Sequence, residues 1–166
     1  MVRVYREDQL SETLIDALRQ KSCFQHDVQT IEVIESDLAW VVLTGQYAYK
    51  IKKPLDLYFL DASTLELREK LCQSEFTLNQ RNFRNLYLGV VGIFEDNRKI
   101  RVEYGSGNLI EYAVKMRQFD PTKTLDQIHD REGLNHSRLE QLCKEVFGLH
   151  AKAPVSGIET PFGEPN

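Results

Sequence analysis

Cysteine, long apolar runs and surplus basic charge are all scarce in this chain, and each shortage removes a class of function. The three cysteines (Cys23, Cys72 and Cys143) are far apart, odd in number and without a C-x-x-C pair. That pattern excludes a zinc ribbon and argues against a disulfide framework, so each thiol reads as a small core residue among apolar neighbours. No apolar stretch approaches the roughly 20 residues that span a bilayer. The opening MVRVYREDQL carries charges where a signal peptide needs an apolar run. A cytoplasmic protein with no membrane partner is the expectation. Formal net charge is −4 and no Lys/Arg block occurs, so a nucleic-acid partner held through its phosphates is not expected. His26, His129, His136 and His150 fall in no metal-ligand spacing, and His150 suits a helix end that it complements electrostatically. A P-loop and a G-x-S-x-G elbow are both missing.

What is present is enough for one ordinary domain, or a small domain with a helical appendage. The 166 residues are 42% hydrophobic and 28% charged, the balance of a globular chain rather than a disordered one. Leu10, Leu14, Ala17 and Leu18 recur at helical spacing and predict a short amphipathic helix over 8–20. Residues 30–34 and 39–43 are β-rich, and Gly45-Gln46 makes a two-residue hairpin loop leading to a third strand over 47–53, closed by Pro54. Over 61–81, Ser63 and Glu66 form a capping box, and Leu67, Leu71 and Leu78 share one stripe with Glu75. Asp56 and Asp61 read as turn and pre-cap residues. Further strands are predicted at 87–94, 99–104 and 109–116, the last two flanking Gly105-Ser106-Gly107-Asn108 as a hairpin. A polar connection through Pro121 follows, then a helical turn within 125–134. Leu139, Leu142, Cys143, Val146 and Leu149 mark a second amphipathic helix, and a Pro- and Gly-broken tail follows.

Two features invite chemistry. Alternation on the third strand points Ala48, Lys50 and Lys52 to one face and Tyr47, Tyr49 and Ile51 to the other. A small residue two before a lysine suits a nucleotide cleft, with room for a base beside a cation for phosphate. Equally, such lysines guard an edge strand or face water. Glu75 lies among leucines at core spacing, where an unpaired carboxylate is costly. A strand lysine would be its partner; otherwise it sits at the rim of the stripe and reaches solvent.

The words IEVIESDLAWVVLTGQYAYKIKKPLDLYFLDASTLELREKLCQSEFTLNQR, LYLGVV, EYAVKMRQF and FGLHAKAP extend over most of the chain. With them the run from Ile31 to Phe119 resembles the amino-terminal part of the aminoglycoside-phosphotransferase-like (protein-kinase-like) family, in particular bacterial proteins that fuse this domain to a P-loop ATPase. The resemblance implies an α+β fold: a kinase-like small lobe with a five-stranded, mostly antiparallel sheet and one packed helix, followed by a helical segment. It divides the chain into an N-terminal helical extension (1–29), the nucleotide-binding lobe (30–119), a linker and first helix of a larger lobe (120–152) and a flexible tail (153–166). Carried onto this sequence, it makes Lys50 the phosphate-binding lysine, with Lys52 its rival, and Glu75 the helix partner. Ser36 would lie in the loop over the phosphates, and Met116, Arg117, Gln118 and Phe119 in the hinge that meets adenine, for which Ala48 leaves room. ATP is the implied cofactor, with Mg²⁺ expected only alongside a catalytic lobe. No H-x-D-x-x-x-x-N and no D-F-G equivalent occurs here, so a lobe truncated before its catalytic loop and inactive alone is expected, with no catalytic residue in this chain. Its unpartnered 137–151 helix should favour self-association. The alternative is a non-catalytic interaction module that keeps the fold without using nucleotide.

Overall fold

β-branched and aromatic runs separated by polar pairs give the first part of this α+β chain its strands. The computed structural model describes residues 13–155, and the chain divides into two units between Gln118 and Phe119. The first unit carries α1 (helical over 13–18), β1 (Glu32–Glu35), β2 (Ala39–Leu43), β3 (Tyr47–Lys52), β4 (Asp56–Leu57), β5 (Leu60–Asp61), α2 (Leu65–Gln80), β6 (Tyr87–Asp96), β7 (Lys99–Val102) and β8 (Asn108–Arg117). Leu10, expected on the first helix, lies outside the described residues, as does the tail from 156 onward.

The main sheet has six strands rather than five, in the order β1-β2-β3-β8-β6-β7, and every pairing is antiparallel. Gly45 turns the β2–β3 hairpin with φ +91°, the left-handed value that a glycine-first loop needs. The predicted hairpin between the last two strands does not form. β7 pairs with β6 through a two-residue turn at Asn97 and Arg98, both at positive φ, and β8 runs on the other side of β6. The chain therefore has to travel back along β6 between Glu103, which is paired at the level of Gly92, and Asn108, which faces Glu95. Gly105 and Gly107 serve that crossing. A Cβ on Gly105 would strike the Phe94 side chain, and one on Gly107 the Glu95 backbone. These glycines permit close approach rather than a turn.

One face of the sheet is apolar. Val42, Tyr49, Ile51, Ile93, Val102 and Ala113 pack there with Ile15, Leu18, Cys23, Phe24 and Val28 from the segment before β1. Full burial of a side chain such as Leu18 contributes about 1.5–3 kcal/mol to this core. The opposite face receives α2. Its N-cap is Thr64, whose hydroxyl accepts from Leu67 N–H, one position later than the predicted Ser63 box. Ser63 instead donates its amide and hydroxyl to Asp61, in keeping with a pre-cap aspartate.

The second unit contains α3 (Leu125–Glu132) and α4 (His136–Lys152), the latter capped by Asn135. On α4, Leu139, Leu142, Val146 and Phe147 are all exposed.

Candidate functional site

Periodicity of leucine marks the wrong line on α2. Leu78 is 57% exposed, and the residues that face the sheet are Arg68, Cys72 and Glu75, at helical spacing of four and three. The inward line of this helix is thus charged at both ends, with a thiol between. Burial pushes the Cys72 thiol up to about 12, which keeps it protonated and inert.

Glu75 meets the sheet where β3 presents its alternating lysines. Lys50 Nζ donates to Glu75 Oε1 at 2.9 Å, and Lys52 Nζ donates to Oε2 of the same carboxylate. Burial raises the Glu75 carboxyl, but the hydrogen bonds and charges of the two lysines outweigh it and hold the group below the ordinary glutamate value. Side-chain exposure is 33% for Lys50, 16% for Lys52 and 13% for Glu75, so Lys50 is the more accessible cation. Two ammonium groups against one carboxylate leave a unit of positive charge in a half-buried setting. Tyr87, the first residue of β6, lies close enough for Glu75 to raise its phenol, an effect second to burial. Asn79 donates its side-chain amide to the Glu75 carbonyl one turn back.

The other expected residues are strung along β3. Ala48 is buried and faces Met116 across the β3–β8 register, two positions from Lys50 facing Val114. Ala48 to Lys52 spans four residue steps, about 13 Å of strand. Beyond Lys52, the amide of Lys53 donates to Leu38, which places the tip of the β1–β2 hairpin at that end. Ser36 is at that tip, but its hydroxyl and amide both bond Ala39 and shape the turn. At the positions expected to form a hinge, Arg117 N–H donates to the Leu86 carbonyl and Gln118 N–H to that of Gln46, while Gln118 Oε1 accepts from Gly45 N–H. Those two amides are committed to the fold. Phe119 belongs to the second unit and is 59% exposed.

Sequence reasoning missed a second ion pair on the same helix. Arg68 Nε donates to both oxygens of Glu111 at 2.8 and 3.0 Å, and its Nη1 donates to the carbonyls of Ala62 and Ser63. Tyr112 N–H completes the set on Glu111 at 2.9 Å. Burial pushes the Glu111 carboxyl up, with Arg68 opposing it only in part. The available signal was the spacing of Arg68 from Glu75, which repeats the i to i+7 relation of an inward line.

These elements define an α+β domain whose sheet face toward α2 carries paired charges. No family model matches the chain, and no solved structure matches it. It is similar to an uncharacterized protein of Mycobacterium bovis and to two uncharacterized proteins from different strains of Mycobacterium tuberculosis. Identity to each is 37% over 135 residues, covering 80% of this chain and 25% of the relative. The chain spans about a quarter of the length of the curated relatives it matches. Among the described residues, no helix is long and apolar enough to cross a membrane, and no group of three or more His, Cys, Asp or Glu side chains is placed to hold a metal ion.

Proposed function

We propose that the first unit binds ATP as the small lobe of an aminoglycoside-phosphotransferase-like kinase. The observation that carries this reading is the 2.9 Å contact between the Lys50 ammonium on β3 and the Glu75 carboxylate on the helix packed over it. Such a pair fixes a strand lysine where it can meet the α- and β-phosphates. Here Lys52 takes the second carboxylate oxygen, and the surplus positive charge is the part available to an anion. Of the two rivals, Lys50 is assigned the phosphates because it is the more exposed, and Lys52 is assigned the task of holding Glu75. The order along β3 supports the same polarity. Ala48 beside Met116 gives space for a base at one end, and the Ser36 hairpin tip borders the lysines at the other. Arg117 and Gln118 would meet an adenine amino group through carbonyl oxygens. With no catalytic-loop aspartate in this sequence, the proposal is of nucleotide binding, and transfer would draw on residues from elsewhere.

Titration calorimetry with ATP·Mg²⁺ on wild type and Lys50→Ala tests the reading. Loss of one charge-assisted contact, worth about 1.5–3 kcal/mol, predicts binding weakened about ten- to a hundredfold. Equal affinity in both proteins, or binding by neither, would remove the nucleotide reading and favour an interaction module with the same fold.

Self-association is proposed through α4, whose Leu139, Leu142, Val146 and Phe147 are open. Sedimentation velocity should show a concentration-dependent dimer that Phe147→Glu abolishes. A strict monomer in the wild type would count against that surface.

A further inference from the structure

Three positive charges outside the lysine–glutamate cluster, Arg98, Lys99 and Arg101, lie together. A cavity of about 300 Å³ lies between the segment that follows α1 and the β6–β7 turn. Gln20, Ser22 and Cys23 form one wall, and Arg98, Lys99 and Arg101 the other. Three cations line it and no carboxylate does. Among the described residues, none of the three forms an ion pair with an acid, whereas Lys50, Lys52, Lys53, Arg68 and Lys115 of the same unit all do. Arg101 Nη1 donates to the Ser22 carbonyl at 2.7 Å and, at 3.4 Å, to the Ile100 carbonyl, contacts that orient the guanidinium without neutralising it. A guanidinium carries five donors in a fixed fork, so most of its capacity stays open for an acceptor.

The turn that delivers two of these cations is itself unusual. Arg98 sits at φ +64°, a left-handed value at which Asn or Gly is the ordinary choice for a two-residue hairpin turn. Asn97 before it follows that preference and Arg98 does not. A side chain kept at a strained backbone position beside an uncompensated cationic cavity is the pattern of a ligand contact.

We propose that this cavity is a binding site for a small, multiply charged phosphate anion, separate from the Lys50 cleft. Its volume is at the lower end for ligand pockets, which suits a phosphate ester or diphosphate and not a macromolecule. Three cations of which two are arginines favour phosphate oxygens, which accept paired N–H donors. The net charge of −4 on the whole chain works against capture of a large polyanion.

Pyrophosphate, without metal, is the probe. Calorimetric titration into wild type should give saturable binding. Lys99→Gln with Arg101→Gln should weaken it at least about tenfold, the least expected for losing charge-assisted donors. Because Arg101 also braces Ser22, the pair Arg98→Gln and Lys99→Gln is the second variant. Arg98 is on an exposed turn and Lys99 is the exposed first residue of β7, and the unfolding midpoint of this variant should match wild type while its binding falls. Lys50→Ala should still show saturable pyrophosphate binding, with amide shifts on titration centred on Ser22, Lys99 and Arg101. No saturable binding, unchanged affinity in both charge variants, or shifts confined to β3 would each overturn the site. The Lys50→Ala arm keeps this result independent of the ATP reading.

Discussion

Replacing Arg68 by alanine is expected to cost the first unit about 3–5 kcal/mol, the range for removing one partner of a buried ion pair. Side-chain exposure is 10% for Arg68 and 8% for Glu111, so water cannot take over for the lost guanidinium. The substitution would also strand the Ala62 and Ser63 carbonyls, which Arg68 Nη1 satisfies ahead of α2. Denaturant unfolding at neutral pH checks the magnitude. The pH dependence has a definite sign. Burial already raises the Glu111 carboxyl, and without Arg68 it would rise further. The folded variant would then bind a proton more readily than the unfolded chain, and so recover stability as pH falls. A variant with Arg68→Met and Glu111→Leu should regain most of the loss, because it removes both charges. It should fall short of wild type by the two orphaned carbonyls and by the bond that the Tyr112 N–H makes to Glu111. Equal destabilisation in the single and double variants would mean that packing, not charge, holds α2 to β8.

Glu75→Gln is expected to have the next largest effect on stability. It leaves Lys50 and Lys52 side by side with no carboxylate between them, in a setting where like charges repel. Loss of hydrogen bonds to charged groups is worth about 1.5–3 kcal/mol each, and the exposure of Lys50 argues for the lower end after solvent screening. The acid behaviour of the wild type follows from the same contact. The folded Glu75 carboxyl lies below its ordinary value of 4.5, so at low pH the unfolded chain binds the proton more readily. Stability from this group is therefore complete above that value and is lost as pH falls through the folded one. Unfolding midpoints measured from pH 7 down to pH 3 should fall in wild type with a component that Glu75→Gln lacks. Parallel curves for the two proteins would mean that the carboxylate is not held by the lysines.

Much of the sheet was readable from alternation and turn chemistry. The β2–β3 hairpin has its glycine at the left-handed position, and Ala48, Lys50 and Lys52 share the face opposite Tyr49 and Ile51. Local rules suffice there because a two-residue turn and a period of two are set by neighbouring atoms. The order of the last three strands was not readable. Asn97-Arg98 carries no glycine, so it did not announce a hairpin, while Gly105-Ser106-Gly107-Asn108 looked like one and instead crosses over β6. The leucine stripe on α2 misled for a related reason. Leu67, Leu71 and Leu78 mark an apolar line, but the sheet presents lysines and a glutamate, and the helix turns its charges toward them.

From the chain alone came the alternation that commits two lysines to one face and the placement of a carboxylate within a helix. Both are consequences of backbone geometry within a few residues. Which side of that helix is buried, and that Arg68 finds Glu111 43 positions away, depended on bringing β8 next to β3. Ion pairs between distant segments have no local signature, because their energy exists only once both charges leave water together.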